Sequence, residues 1–457
     1  MAENPLAYEN ISKLLKGFAI PSITATLVSS LYNIVDQIFI GQGVGYLGNA
    51  ATNVSYPLST ICLAISLLLG IGSAARFSLY LGKKEPEHAA RLVGNGIVLM
   101  VGAGLLYLIC GELFLTPLLR VFGATEEVLP FARQYAGVVL LGMPFLILTN
   151  GISNLIRADG SPRYSMLCMV AGAIVNTILD PIFIFLLDWD VFGAALATIL
   201  GQLLSFALAL RYLWRFRTVQ LTRSCFQLDF RDNLVTLYMG ISSCINQVAI
   251  TLVQIVLNNS LTYYGALSAY GKEIPLAACG IVMKTNAILL SIIVGISQGV
   301  QPIIGFNYGA GKYDRVRQAF LLAIKWNFVV SAVGFCLFQF CPGPIISLFG
   351  DGEPLYFEFA ILFMRTFLFM VLVNGVQLLS SNFFTAIGKA LKGLLLSLTR
   401  QVFFLIPLIL LLPLRLGIFG VLLAGPIADF IAFVVSVFFV VREFRTLRAL
   451  ETASAAR

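Results

Sequence analysis

Runs of about twenty apolar residues recur from one end of this chain to the other, and each is long enough to cross a hydrocarbon core about 30 Å thick. A backbone crossing lipid must satisfy its own polar groups, so a chain of this kind folds as helices. Twelve spans are expected, near 14–41, 51–80, 91–115, 130–156, 164–187, 191–213, 235–262, 276–306, 319–341, 356–386, 393–414 and 417–441. The composition agrees: 59% of the 457 residues are apolar and 11% are charged, against roughly 45–50% and 25% in soluble domains. The first apolar run is followed by no small-residue cleavage motif, so it is expected to stay as a retained signal anchor.

The net charge of +8 does not call for nucleic acid, because its placement explains it. One side of the expected membrane carries Lys13, Lys16, Lys83, Lys84, Arg91, Arg157 and Arg163, then Arg211, Arg215, Arg217, Arg223 and Arg231. Lys312, Arg315, Arg317, Lys389, Lys392, Arg442, Arg445, Arg448 and Arg457 continue it. Arg120, Lys272 and Arg415 stand on the other side. Basic loops stay in the cytoplasm, so both termini are expected there. The eight Cys are scattered without a CxxC and read as small helix residues rather than disulfide or metal ligands. The single His, His88, reads as a solvated loop residue beside Lys83, Lys84, Glu85 and Glu87.

The two halves are related. Pro117-Leu-Leu-Arg-Val-Phe-Gly123 matches Pro344-Ile-Ile-Ser-Leu-Phe-Gly350, and Ser153-Asn154 with Gly160 matches Ser381-Asn382 with Gly388. Phe192-Gly193 matches Phe419-Gly420, and Gly82-Lys83 matches Gly311-Lys312, all at an offset of 227–229 residues. A constant offset marks an internal repeat. Six spans per half start from the same side, so the repeats are expected to be related by a pseudo-twofold axis along the membrane normal. The expected organisation is a six-helix lobe over 1–213, a basic cytoplasmic connection over 214–234, a second six-helix lobe over 235–445 and a cytoplasmic tail over 446–457.

Charged residues inside apolar spans mark function by default, because an unpaired carboxylate in hydrocarbon costs several kcal/mol. Asp36 lies within Tyr32-Asn33-Ile34-Val35-Asp36-Gln37-Ile38-Phe39-Ile40, with nothing near it in sequence to neutralise it. Asn176 and Asp180 stand four apart, on one helix face. Pro181 has no N–H, so it frees the carbonyl of Thr177. Counted along their helices at 1.5 Å per residue, Asp36, Asp180 and Thr198 all fall in the outer half of the bilayer. Oxygen ligands of this kind suit Na⁺, or a proton held between carboxylates. A buried carboxyl hydrogen-bonded to Asn176 for structure alone is the alternative.

Secondary candidates follow. Pro21 is a candidate hinge in the first span. Tyr32, Tyr135, Met166, Met169 and Phe183 are candidate contacts for an apolar cation. Arg76, Lys284, Lys325, Arg365 and Arg400 are read as snorkelling or structurally paired. Asp429, after the Gly425-Pro426 break, is a second functional candidate. Gln247, Gln254, Asn258, Asn259, Asn374 and Gln377 are read as polar cavity lining or helix-to-helix contacts.

With these residues in hand, the chain resembles the multidrug and toxic compound extrusion (MATE) transporters over residues 10–445. The resemblance rests on Val35-Asp36-Gln37-Ile38-Phe39-Ile40-Gly41, Arg157-Ala158-Asp159-Gly160-Ser161-Pro162, and Asn176-Thr177-Ile178-Leu179-Asp180-Pro181. Phe192-Gly193-Ala194-Ala195-Leu196-Ala197-Thr198 and the six-plus-six repeat add to it. The pattern is most similar to bacterial drug exporters related to the staphylococcal MATE pump. The resemblance implies a monomeric, multi-pass antiporter of the bacterial cytoplasmic (inner) membrane that exports drug-like organic cations against inward H⁺ or Na⁺. It implies no enzymatic activity and no cofactor beyond the coupling ion. It places that ion at Asp36, Asn176, Asp180 and Thr198, all four serving as metal ligands if the ion is Na⁺. It makes Pro21 the bend-forming proline, and Tyr32, Tyr135, Asn154, Met169 and Gln254 are offered as substrate contacts. Some family members carry acids in spans 7 and 10, where this chain has Gln254, Asn374 and Gln377. The rival readings are a lipid-linked saccharide flippase or a metabolite exporter of the same superfamily. An integral enzyme is disfavoured by the absence of HExxH and of any intramembrane His.

Overall fold

The structure is a computed structural model that describes residues 4–44, 46–348 and 354–455. Phe349 and Gly350 of the repeat motif, and Arg457 of the basic tail, lie outside the described residues. The described residues form helices and connecting turns, with no strand among them. The long helices are α1 (Ile11–Gly43), α2 (Tyr46–Gly82), α3 (Pro86–Leu113), α5 (Leu129–Ala158), α6 (Pro162–Pro181), α7 (Asp190–Leu213), α8 (Phe230–Ala266), α9 (Glu273–Gly309) and α10 (Tyr313–Phe340). Short α4 (Leu115–Val121) and α11 (Pro342–Ser347) join some of them. Then come α12 (Pro354–Phe367), α13 (Val371–Ala386), α14 (Ala390–Leu398), α15 (Ile406–Leu411), α16 (Pro413–Leu416) and α17 (Ile418–Ala455). Among the described residues eleven helices are long and apolar enough to cross a membrane, and α12 with α13, bent by 50°, give a twelfth when the bent pair is taken as one span.

Two boundaries differ from expectation. Helix α8 begins at Phe230, inside the expected 214–234 connection, and α17 runs through the expected tail as far as Ala455. Both extensions are polar. Helical hydrogen bonding is internal to the segment, so it need not stop where the hydrocarbon stops. Helix starts carry proline in the first turn at Pro86 and Pro162, where the missing N–H has no intrahelical role. Gly160 and Gly388 close repeat-related helices in the left-handed region, at φ +86° and +82°.

The chain separates into two compact units. One contains Ile20–Cys244, and the other contains Ile245–Arg457 together with Met1–Ala19. The divisions therefore fall inside α1 and α8, and not in the 214–234 connection. Local contacts explain this. The first turns of α8 are fixed to α2: Arg76 donates to the Asp232 carbonyl at 2.6 Å and to its carboxylate at 2.7 Å. A Cβ at Gly240 would lie 1.7 Å from the Leu68 carbonyl, so these helix backbones touch. At the other end of the chain, Arg315 donates to the carbonyls of Leu6 and Glu9, and Asn307 to that of Leu6. His88 is not a freely solvated residue. Its ring lies against that of Tyr80, centroids 4.2 Å apart and tilted by 46°, with Nε2 3.7 Å from the Asp232 carboxylate.

Within the unit Ile20–Cys244, α5 packs against α2, α3 and α7 around Phe77, Leu140 and Ile152, all fully buried. Asp159, just past α5, accepts from the Tyr212 hydroxyl at 2.7 Å, the Arg217 N–H at 2.8 Å, the Thr218 N–H at 3.0 Å and the Thr218 hydroxyl. Burial pushes this carboxyl group above the ordinary carboxylate range, and its donors from Thr218, Arg217 and Tyr212 pull it back. In the other unit α13 packs against α9, α10, α14 and α17. There Lys389 and Lys392 both pair with the buried Glu443.

The repeat is visible in matching contacts. The Ser165 hydroxyl donates to the Ser153 carbonyl at 3.1 Å, and the Ser381 hydroxyl donates to the Gly393 carbonyl at 2.8 Å. These are the same pair of positions, with donor and acceptor exchanged. Gly193 abuts the Phe183 backbone and Gly420 the Leu412 backbone, so each motif glycine admits a close turn beside the preceding span.

Candidate cation site in the N-terminal unit

Four polar side chains from three helices converge in the unit Ile20–Cys244. Asp36 is supplied by α1, Asn176 and Asp180 by α6, and Thr198 by α7. The carboxyl group of Asp36 faces that of Asp180 at interaction range. The Asn176 amide donates to Asp180 Oδ1 and to Thr198 Oγ1, each at 3.3 Å. The Thr198 hydroxyl in turn donates to the Ala194 carbonyl at 3.0 Å. Asp180 is fully buried and Asn176 nearly so.

The arrangement is short of donors. Asp36 Oδ1, Asp180 Oδ2 and Asn176 Oδ1 are buried with no hydrogen-bond partner among the described residues. Neither carboxylate takes part in an ion pair among those residues. Buried polar atoms are nearly always satisfied, so three orphaned oxygens around two carboxylates have the chemistry that could hold a cation. Tyr32 and Tyr135 lie within electrostatic reach of both carboxylates, which puts two aromatic rings beside the charge.

Local sequence sets this geometry. Four-residue spacing stacks Asn176 over Asp180 on α6. Pro181 ends the regular α-helix, and the chain continues as a wider π-helical turn over Ile182–Leu186. Such turns reset which residues face a neighbour.

A second layer was not anticipated from sequence. Ile40, Ile184 and Ala194 form a buried apolar cluster, with Phe39, Val44 and Tyr135 packed on it. Each is four residues from a site residue: Ile40 from Asp36, Ile184 from Asp180, Ala194 from Thr198. The layer therefore sits one helical turn from the carboxyl pair, toward the side opposite the basic loops. The i, i+4 spacing was present in the sequence, but apolar residues in an apolar span carry no mark of their own.

The remaining candidates fall elsewhere. Pro21 lies within α1, which stays helical through it, next to the division at Ala19 and Ile20. Asn154 accepts from Arg157 and donates to the Asn150 carbonyl, near the opposite end of α5 from its Tyr135 turn. Met169 is half-buried on α6, about two turns before Asn176. Gln254 belongs to the other unit and donates to Asn258 at 3.0 Å. There, too, Asp429 pairs with Arg400, two residues the sequence presented separately. Gln377 donates to the Leu396 carbonyl at 2.9 Å, joining two helices.

Comparison with known proteins gives the family of the chain. The MatE family model matches residues 21–182 and 242–411. The chain is similar to the multidrug export protein MepA of Staphylococcus aureus, at 26% identity over 92% of this chain and 91% of that protein. It is equally similar to an FAD transporter of Shewanella oneidensis, at 26% identity over 92% of each chain. Among solved structures, an outward-facing multidrug resistance MATE family transporter of the MOP superfamily superposes with a TM-score of 0.91 at 23% identity. It covers 98% of this chain and 99% of that one. A MOP superfamily transporter from Pyrococcus furiosus, described as having a binding pocket of reverse polarity, gives 0.89 at 23% identity over 97% and 98%. At that identity the superpositions carry the fold, while the family match extends over most of the sequence. The chain belongs to the MatE family of multidrug and toxic compound efflux transporters.

Proposed function

We propose that this protein is a secondary active antiporter of the bacterial cytoplasmic (inner) membrane, monomeric and with both termini cytoplasmic. It exports drug-like organic cations and related drugs by alternating access, in exchange for inward H⁺ or Na⁺. The observation that carries the reading is the Asp36–Asp180 pair, with three buried oxygens lacking donors. Two carboxylates facing each other in a largely buried site repel, and burial leaves both poorly solvated. A proton, or a Na⁺ held by Asp36, Asn176, Asp180 and Thr198, relieves both costs. An organic cation relieves them too, with Tyr32 and Tyr135 offering ring faces. Ion and drug therefore compete for one negative charge, and that competition is what antiport requires.

The test is ethidium uptake into everted vesicles, the counterpart of cellular efflux, with the pH gradient and the Na⁺ gradient collapsed separately. One of the two treatments is expected to stop uptake. Asp36→Asn and Asp180→Asn are each expected to stop it while the protein remains monodisperse. Uptake at the native rate in Asp36→Asn would overturn the assignment. The second reading, export of a metabolite, is favoured by the equal similarity to a protein described as an FAD transporter. FAD uptake into the same vesicles, with no ethidium uptake, would establish it instead.

A further inference from the structure

Arg400, half-buried, and Asp429, buried, form an ion pair in the unit that contains Ile245–Arg457. Arg400 lies ten residues after Ala390 in its span and Asp429 eleven after Ile418. Both are therefore roughly 15 Å from the span ends, near the middle of a hydrocarbon core about 30 Å thick. A phospholipid phosphate does not reside at that depth.

The repeat supplies the comparison that decides what the pair is for. The positions 228 residues earlier are Gly172 and Gly201. There α6 and α7 are in backbone contact, since a Cβ on Gly201 would lie 2.6 Å from the Gly172 carbonyl. Joining these two spans thus takes two glycines and no charge. Placing an ion pair at the same positions costs desolvation that the mutual attraction repays only in part. Architecture alone does not account for it.

The geometry of the pair is open on one side. Only Arg400 Nε donates to Asp429. Among the described residues, its two terminal nitrogens have no hydrogen-bond partner. The Asp429 side chain is 4% accessible and that of Arg400 is 14%. Arg400 also lies in a π-helical stretch, Thr399–Leu405, a backbone form that recurs at functional sites. Asp429 thus holds the guanidinium plane by one edge, and the other edge presents two parallel N–H groups. That edge matches a carboxylate, sulfonate or phosphate in bidentate fashion.

We propose that Arg400, oriented by Asp429, is an anion-binding site for a carboxylate, sulfonate or phosphate group carried on an organic substrate. The substrate range then includes anionic and zwitterionic molecules as well as cations. The proposal rests on the transport reading only in taking the ligand to be a substrate; binding is measured without transport.

The experiment is equilibrium binding of 6-carboxyfluorescein to the full-length protein in nanodiscs of zwitterionic phospholipid, with ethidium as the second probe. Saturable carboxyfluorescein binding is expected. The double variant Arg400→Gln with Asp429→Asn leaves no orphaned charge. It is expected to weaken carboxyfluorescein binding at least about tenfold and to change ethidium binding by less than about twofold. Arg400→Lys keeps the ion pair but loses the planar fork, and is expected to weaken it severalfold even if the double variant does not fold. No saturable binding to the native protein, or unchanged binding in Arg400→Lys, would overturn the proposal. Carboxyfluorescein binding without ethidium binding would instead count against the cation reading alone.

Discussion

Asn176 and Asp180 stand one helical turn apart on α6, and the amide of the first donates to the carboxylate of the second at 3.3 Å. The same amide reaches Thr198 on α7. Its own oxygen is left buried and unpartnered, so Asn176 both fixes Asp180 and offers a ligand. Asn176→Leu removes the two roles while keeping the same branched shape. Efflux of ethidium is expected to slow by about tenfold or more, the equivalent of one lost charge-assisted hydrogen bond. Gln at this position is expected to restore less than half of the loss, because its longer stem moves the amide. Native efflux in Asn176→Leu would show that Asp180 needs neither the donor nor the oxygen.

Asp159 tests a different kind of buried carboxyl, one that joins the end of α5 to the chain after α7. Four donors converge on it, and Ala would orphan all of them. Each orphaned donor costs about 1–3 kcal/mol when buried. Burial holds the carboxyl above the ordinary range, so the neutral Asn, which keeps one acceptor, is expected to be milder than Ala. The sign with pH follows. The protonated acid is favoured in the folded state, so its contribution is full below the unfolded pKa of about 3.9 and is lost as pH rises through the raised value. Melting temperature in detergent is expected to fall in the order native, Asn, Ala at neutral pH, with the acid-side slope flattened in both variants. An Ala variant that melts with the native protein would remove Asp159 from this role.

How much of this was legible from sequence depends on contrast. Asp36, Asn176 and Asp180 stood out because a carboxylate in an apolar run is costly, and the four-residue spacing told which face they share. Ile40, Ile184 and Ala194 did not stand out, because apolar residues there look like their neighbours. The Arg400–Asp429 pair was hidden by a separation of 29 positions and by a π-helical stretch that shifts the register. Breaks were misleading in both directions. Helix α1 runs through Pro21 without interruption, while the chain bends by 50° between α12 and α13. Phe367-Leu-Phe-Met-Val371, where it bends, has neither Pro nor Gly. The divisions at Ala19 and Cys244 lie inside continuous helices, where composition does not change.

Gly240 shows how close α8 approaches α2. A Cβ there would lie 1.7 Å from the Leu68 carbonyl and 2.9 Å from its Cα. Both are backbone atoms, so no rotamer change relieves the overlap. Gly240→Ala is expected to lower the melting temperature markedly, since overpacking of this kind costs about 1–3 kcal/mol or more. Gly280→Ala is the control, because nothing lies within 4 Å of its Cβ position. It is expected to be neutral or stabilising by up to about 1 kcal/mol, the helix-propensity difference. Equal melting of the two variants would mean that the α2–α8 contact does not hold in the folded protein.

Ile184 separates binding from coupling. It stands one turn beyond Asp180, 3% exposed, in the apolar layer with Ile40 and Ala194. If that layer closes the carboxyl pair off from the far side, thinning it opens an ion path without touching a ligand. Ile184→Ala removes three carbons there, at a stability cost of about 2–5 kcal/mol if the gap does not collapse. The expected phenotype is ethidium binding within about twofold of native, together with a faster leak of the coupling ion when no drug is present. The leak is read from decay of an imposed pH or Na⁺ gradient in proteoliposomes. Asp36→Asn added to Ile184→Ala is expected to abolish the leak, because the ion then has no site to pass through. A leak that persists in the double variant would mean the gap admits ions nonspecifically, and a tight, fully coupled Ile184→Ala would mean the closure lies in another part of the unit.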